Sequence, residues 1–272
     1  MKRIFRFFAS PVFLSLFPFI IICSFVPFGF RKYLLKPESK INLPENQYVV
    51  YEDLDYDGIS EEIFAFSVNN TTALSIYKEG RIVDQWNFKG SYDFWFLHCL
   101  FISGDSNNDH KKEIYVFTLY HDTILLHCIS DFSKSELSIK NRFISATGNG
   151  LKSADPFIIP AEMDDLDGDG IKELIFGISS GFSIFPRNVF AYYISKDSLI
   201  KSPESSYFIS YILQADFNND GRKEIIPYGY ATSNIGPEKA EFHDHSSFLM
   251  VLDQNLKFLF RPIEFKGEFS IL

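Results

Sequence analysis

The sequence is poor in several residue types, and each shortage excludes a class of protein. Among 272 residues there are only 3 cysteines, 3 methionines and 2 tryptophans. Three cysteines are too few for a disulfide-stapled miniprotein or a cysteine-rich zinc site. Basic residues are also in the minority, with 26 Lys and Arg against 35 Asp and Glu. The chain therefore lacks the basic balance of a general nucleic-acid binder, and we expect no nucleic acid among its partners.

Motifs for catalysis are scarce as well. The sequence contains no H-E-x-x-H zinc motif, no Gly-rich phosphate loop and no G-x-G-x-x-G dinucleotide motif. Acidic pairs such as Asp164-Asp165 could suggest a glycosidase, but Asp165 belongs to a repeated metal-ligand pattern described below. We therefore expect a binding protein rather than an enzyme.

Apolar residues are plentiful. Hydrophobic residues make up 46% of the chain, and 31 phenylalanines against 3 methionines favour a strand-rich interior over a helical bundle. A chain of this composition can bury a large core, which argues against a disordered protein.

The amino terminus carries the longest apolar run. Residues 1–6 form a short basic segment, which is followed by an uncharged run at residues 7–30. Residues 31–46 have the Pro, Ser and Asn content of an exposed linker. As a helix, residues 7–30 would span about 36 Å, enough to cross a membrane. We predict a transmembrane helix or signal anchor here, with the bulk of the chain periplasmic or at the cell surface. The alternative is a cleaved secretory signal, which would release a secreted protein.

Four acidic segments recur beyond the linker. Each has Asp at its first position, Asp or Asn at its third, Asp at its fifth and Glu at its ninth. Their starts lie 52, 60 and 51 residues apart. The segments read DLDYDGISE from Asp53, DSNNDHKKE from Asp105, DLDGDGIKE from Asp165 and DFNNDGRKE from Asp216.

This pattern fits calcium, a hard cation that takes six to eight oxygen ligands. Carboxylates at alternate positions of a tight loop can converge on one point, and Gly at the sixth position permits the left-handed turn. We predict up to four Ca²⁺ sites, the second being the weakest candidate because His110 replaces the Gly. The predicted side-chain ligands are Asp53, Asp55, Asp57 and Glu61; Asp105, Asn107, Asp109 and Glu113; Asp165, Asp167, Asp169 and Glu173; and Asp216, Asn218, Asp220 and Glu224.

Neither an EF-hand nor an ordinary turn fits the segments as well. An EF-hand needs Glu at the twelfth position and flanking helices, whereas the twelfth positions are Phe64, Val116, Phe176 and Pro227 and the flanks favour strands. Ordinary turns between strands would account for Asp, Asn and Gly but not for the recurring Glu.

The four segments resemble the FG-GAP, or VCBS, repeat of integrin α-subunit propellers and of many bacterial surface proteins. The resemblance covers residues 47–272 and implies an all-β β-propeller of about four blades. Each blade would have four strands, and each calcium ion would stabilise a loop that connects two of these strands. Propellers of this family commonly close with seven blades, so this one could be incomplete.

The resemblance and the apolar run together predict a membrane-anchored, extracytoplasmic, calcium-binding propeller. Its role would be ligand binding, adhesion or sensing, with a protein or glycan ligand that the sequence does not identify. Two alternatives stay open: a calcium-dependent carbohydrate-active enzyme (lyase or hydrolase), and the truncated sensor region of a signalling protein.

Three local features complete the sequence-based predictions. In the second repeat we predict strands near residues 96–102, 113–120, 123–129 and 137–143. Cys99 and Cys128 are predicted to be buried free thiols rather than a disulfide. The segment His243-Asp244-His245 is predicted to be a solvated loop rather than a transition-metal site.

Overall fold

A computed structural model describes residues 47–91, 101–147, 156–180, 185–206 and 208–266. In these ranges the protein is all-β, with sixteen strands and one short 3-10 helix at Ile194–Lys196. Pro44–Leu272 form one compact unit. The apolar run 7–30 lies outside the described residues, and none of the helices within them has the length and apolarity to cross a membrane.

Each of the first three repeats forms a four-stranded antiparallel sheet whose strands follow chain order. The first sheet contains β1 (Gln47–Glu52), β2 (Glu61–Val68), β3 (Thr71–Lys78) and β4 (Arg81–Lys89). The second contains β5 (Phe101–Gly104), β6 (Glu113–Tyr120), β7 (Thr123–Asp131) and β8 (Glu136–Ala146). The third contains β9 (Pro156–Pro160), β10 (Leu174–Ser180), β11 (Arg187–Tyr193) and β12 (Ser198–Lys201).

The fourth repeat is divided into two smaller sheets. One pairs β13 (Phe208–Ala215) with β14 (Glu224–Tyr230), and the other pairs β15 (Ser246–Leu249) with β16 (Ile263–Lys266). Isolated bridges join Ile225 to Leu252 and Leu252 to Phe258. All five sheets are open, and the described residues do not show a closed propeller.

Tight turns set the strand order within a sheet. Asn69 and Asn70 connect β2 to β3 with φ of 50° and 56°, and Glu79 and Gly80 connect β3 to β4 with φ of 50° and 73°. Two consecutive positive φ values match the twist of antiparallel strands and favour Asn and Gly. Two-residue turns of this kind force neighbouring strands to pair.

The sheets pack face to face in the order of the repeats. One apolar cluster, including Ile63, Phe88 and Val116, lies between the first and second sheets. A second, including Phe117 and Phe176, lies between the second and third sheets. A third cluster joins the third sheet to the fourth repeat. Because the middle sheets are covered on both faces, β10 and β11 are buried at every position.

The predicted strands of the second repeat are confirmed where the structure describes them. The prediction for residues 113–120 coincides with β6, and the next two strands are longer than predicted. Cys128 is a buried free thiol, as predicted, whereas Cys99 lies outside the described residues.

Candidate metal centres

The four acidic segments occupy the same place in each repeat. Each joins the first strand to the second, so its Asp-rich part follows one strand and its ninth-position Glu begins or adjoins the next. The loops join β1 to β2, β5 to β6, β9 to β10 and β13 to β14. We refer to them as the first to fourth acidic loops and count positions from Asp53, Asp105, Asp165 and Asp216.

The loops share one backbone conformation. In all four, φ is positive at positions four and six. Position six is Gly in three loops, while His110 takes a φ of 64° in the second loop. Replacing Gly by His therefore keeps the left-handed turn, although this conformation is strained for a side-chain-bearing residue. The position-four residues are Tyr56, Asn108, Gly168 and Asn219, and the position-six residues are Gly58, His110, Gly170 and Gly221.

Hydrogen bonds from the loop backbone to the side-chain carboxylates explain why Asp recurs at positions one and five and Glu at position nine. The first-position Asp accepts a bond from the sixth N–H at 2.9–3.1 Å in every loop. The fifth-position Asp accepts one from the seventh N–H at 2.8–2.9 Å. The ninth-position Glu reaches back through Oε2 to the second N–H at 2.7–2.9 Å. These bonds satisfy backbone groups that the tight turn would otherwise leave unpaired.

The third acidic loop has the strongest arrangement for a cation. Carboxylate oxygens of Asp165, Asp167 and Glu173 lie within 4.8 Å of one another. Glu173 is completely buried, and its Oε1 has no hydrogen-bond partner among the described residues. Burial, reinforced by the neighbouring aspartates, raises the pKa of Glu173 to about 7. Concentrated, incompletely compensated negative charge of this kind favours a cation.

Two side chains following β11 contact the third loop from outside. Lys196 Nζ pairs with Asp167 Oδ2, while the Lys196 side chain is 54% exposed. The Ser195 hydroxyl donates to Asp169 Oδ2 at 2.6 Å. Asp169 is outside the 4.8 Å group, so the structure brings together three of the four predicted ligands of this loop.

The first acidic loop also gathers three carboxylates within 4.8 Å, those of Asp53, Asp55 and Asp57. Here Lys78, the last residue of β3, places its ammonium among the acids. Its Nζ lies 2.6 Å from Asp55 Oδ2, 2.7 Å from Asp57 Oδ2 and 3.0 Å from Glu61 Oε1. The sequence pattern did not reveal Lys78, because it comes from a different part of the repeat.

In the second and fourth loops, asparagine amides bond to the acids. Asn107 Nδ2 donates to Asp109 Oδ2 at 3.2 Å. Asn218 Nδ2 donates to Asp220 Oδ2 and to Glu224 Oε1, both at 3.0 Å. These loops bring together no group of three acidic ligand atoms within 4.8 Å among the described residues. Two acidic clusters, in the first and third loops, are thus the arrangements that could hold a metal ion.

Lysine at position eight links consecutive loops. Lys112 N–H donates to Leu54 O at 2.8 Å, and Lys172 N–H donates to Ser106 O at 2.9 Å, so each joins position two of the preceding loop. Their side chains also reach backward: Lys112 Nζ lies 2.6 Å from Glu52 Oε1, and Lys172 Nζ donates to Asp105 O at 3.1 Å. The Lys-Glu pair at positions eight and nine therefore serves both the repeat junction and the loop, a role that the sequence pattern did not predict.

The segment around Asp244 is not the solvated loop that the sequence suggested. Asp244 is completely buried, and His243 is 9% exposed. Asp244 accepts bonds from the Thr232 hydroxyl at 2.5 Å and from Asn234 N at 2.8 Å, and pairs with the buried Arg187. The prediction of a solvated loop was wrong because polarity alone does not distinguish an exposed acid from one with buried partners.

Ser179 lies in a sequence that matches a nucleophile motif, but it does not have the geometry of that motif. Residues 177–181 read G-I-S-S-G, the G-x-S-x-G pattern, but Ser179 lies within β10 rather than at a strand-to-helix turn. Ser179 is completely buried, donates to Ile209 O at 2.9 Å and accepts from Ile209 N at 3.0 Å. Its hydroxyl therefore joins the third and fourth repeats.

The described residues also line a cleft of about 680 Å³ between β8 and the region after β11. Among the described residues that line it, Asp197 is the single carboxylate. Asp197 Oδ1 accepts a bond from the Tyr192 hydroxyl at 2.7 Å and lies 3.3 Å from Arg142 Nε.

Comparison with known proteins identifies no family. The sequence matches no family model. It also matches no curated protein. The crystal structure of the V. cholerae biofilm matrix protein Bap1 aligns over 81% of this chain with 15% sequence identity and a TM-score of 0.32. This chain covers 39% of that structure, and so low a TM-score does not establish a shared fold.

Proposed function

We propose that the protein is a calcium-binding module of the β-propeller type whose acidic loops are stabilised by bound calcium. The observation that carries this proposal is the third acidic loop, where carboxylate oxygens of Asp165, Asp167 and the buried Glu173 lie within 4.8 Å of one another and Glu173 Oε1 has no hydrogen-bond partner among the described residues. A hard divalent cation with oxygen ligands would compensate this charge. The aligned loops and face-to-face sheets support the propeller interpretation.

The proposed cellular role is binding, adhesion or sensing at a membrane, outside the cytoplasm. The uncharged run of residues 7–30 supports the membrane anchor. Extracellular calcium modules bind with Kd of about 10⁻⁴–10⁻³ M, which suits the calcium concentration outside cells. Bound calcium would hold the loops in place, and the other surfaces would contact a protein or glycan.

Thermal unfolding tests the calcium assignment. With a Kd near 10⁻⁴ M, about 1 mM calcium should stabilise the full-length chain by about 1.4 kcal/mol, or roughly 3–6 °C in Tm, relative to the chain in EDTA. Asp167→Ala combined with Asp169→Ala should abolish the increase. Glu204→Ala combined with Glu241→Ala removes the same charge from exposed positions outside the loops and should keep it. An unchanged Tm of the wild type in millimolar calcium would refute the assignment.

A second measurement addresses the role. A glycan array read with and without calcium, beside a glycan-cleavage assay, separates binding from catalysis. Calcium-dependent binding without turnover is the expected result. Calcium-dependent cleavage would instead establish the carbohydrate-active enzyme.

A further inference from the structure

The first and third acidic loops differ in the position of the nearest lysine. Lys78 Nζ lies within 3.0 Å of carboxylate oxygens from Asp55, Asp57 and Glu61. In the third loop, Lys196 pairs with Asp167 and remains more than half exposed, whereas the Lys78 side chain is 24% exposed. The Lys78 ammonium is therefore surrounded by carboxylates of the first loop, whereas the Lys196 ammonium lies at the edge of the third loop.

The sheet positions Lys78 for these contacts. Lys78 ends β3 and pairs with Arg81 across the turn to β4, so its backbone is fixed beside the first loop. Its ammonium carries three N–H donors and one positive charge. Lys78 Nζ donates a hydrogen bond to Asp55 Oδ2 at 2.6 Å and forms ion pairs with Asp57 and with the completely buried Glu61.

A divalent cation bound by these same oxygens would meet the ammonium. Two cations cannot share a cluster of this size without strong repulsion, because unit charges about 4 Å apart interact by several kcal/mol at the effective dielectric of a protein surface. The equivalent oxygens of the two glutamates, Glu61 Oε1 and Glu173 Oε1, both lack a hydrogen bond among the described residues. Glu61 Oε1 lies 3.0 Å from Lys78 Nζ, whereas Glu173 Oε1 forms no ion pair in the part of the chain that the structure describes, so the third loop presents no such obstacle there.

We propose that the Lys78 ammonium is the built-in cation of the first acidic loop, so that this loop holds its conformation without a divalent ion and admits one only when Lys78 is displaced. The four loops would then be unequal: the third depends on metal and the first is stabilised by lysine. The competition with metal rests on the proposed calcium function, whereas the stabilisation by Lys78 does not.

The test compares the full-length wild type with Lys78→Met, which keeps most of the apolar stem and removes the charge. In EDTA, Lys78→Met should lower Tm by about 5 °C or more, because three carboxylates lose their counter-charge. In saturating calcium, isothermal titration should find one more bound equivalent than in the wild type, and the Tm difference should narrow. Lys201→Met, an exposed lysine at the end of β12, is the matched control and should change neither quantity.

A second variant tests the role of charge. Adding Asp55→Asn to Lys78→Met removes one of the unpaired carboxylates and should recover a large part of the lost Tm in EDTA. If Lys78→Met does not fold but the double variant does, the proposal stands. If neither folds, or if the double variant is no more stable than the single one, the unpaired carboxylate charge does not account for the effect and the proposal is wrong.

The outcomes separate this inference from the proposed function. If neither wild type nor Lys78→Met binds calcium, the calcium function fails, yet rescue by Asp55→Asn in EDTA still supports the role of Lys78. If calcium binds with the same stoichiometry to both and the Tm in EDTA is unchanged, the inference about Lys78 fails while the calcium function survives.

Discussion

Arg187 and Asp244 form an ion pair between two completely buried side chains, with Arg187 Nη1 3.5 Å from Asp244 Oδ2. Arg187 begins β11 of the third repeat, and Asp244 lies in the segment before β15 of the fourth. Burial lowers the pKa of Arg187, and the charge of Asp244 opposes this shift. The pair joins two consecutive repeats within the interior.

Removing one member of this pair should strongly destabilise the protein. Asp244→Asn is expected to lower the free energy of unfolding by about 3–5 kcal/mol, because Arg187 keeps its charge in a buried environment. Urea denaturation of wild type, Asp244→Asn, Arg187→Met and the double variant provides the double-mutant cycle. The double variant should lose less than the sum of the singles. Additive losses would show that the two side chains act independently.

We expect the folded protein to lose stability on mild acidification because of the buried His127. This completely buried side chain accepts a bond from Asn141 N through Nδ1 at 3.2 Å, and its Nε2 lies 2.9 Å from Thr118 Oγ1. Thr118 Oγ1 in turn donates to Lys89 O at 2.6 Å, so we assign the Nε2–H donor to His127. Burial lowers the pKa of His127 to about 4.

The lowered pKa of His127 determines the direction in which stability changes with pH. The native state favours neutral imidazole, so the His127 contribution is complete above the unfolded pKa of about 6.5 and is lost as pH falls toward 4. The difference approaches about 3 kcal/mol over that range. Urea denaturation at several pH values should show a shallower decline for His127→Gln than for wild type. Parallel pH profiles would contradict the assignment.

Glu173→Gln should separate the stability of the third loop from its calcium response. Gln keeps an oxygen for the Leu166 N–H and removes a buried charge next to Asp165 and Asp167. In EDTA the variant should be more stable than wild type by about 1–2 kcal/mol, because the Gln amide can donate a hydrogen bond from the position of Glu173 Oε1, which has no hydrogen-bond partner among the described residues. Its Tm should respond less to calcium. A full calcium response in Glu173→Gln would exclude Glu173 as a ligand.

Cys128 should be unreactive in the folded protein. The thiol is 1% exposed, and burial raises its pKa to about 12, so very little thiolate forms at neutral pH. With Cys23 and Cys99 replaced by Ser, an aromatic disulfide reagent should label Cys128 at least ~100-fold more slowly in buffer than in denaturing urea. Rapid labelling in buffer would show that the core around β7 opens readily.

The repeats could be predicted from the sequence because the residues that determine each acidic loop are close together in the chain. Each acidic loop draws its turn, its backbone hydrogen bonds and its returning Glu from nine consecutive residues, as from Asp165 to Glu173. Alternating and continuous apolar runs likewise predicted strands, including the one at Glu113–Tyr120. Fold class and loop placement could therefore be predicted without knowledge of distant contacts.

The chemistry within each loop could not be predicted in the same way. Lys78 reaches Asp55 from 23 positions away, and Asp244 reaches Arg187 from 57 positions away. Asp244 has the sequence context of a surface loop, and Lys78 that of an ordinary strand end. Neither pairing leaves a periodic signal.

Spacing along the chain was thus enough to establish four equivalent acidic turns between strands, because a turn satisfies its own backbone within a few residues. Which carboxylates acquire a lysine, an amide or no donor depended on how the strands and repeats pack together. Burial deprives these groups of water, so each must find a partner that folding brings close, and the identity of that partner is a property of the assembled sheets.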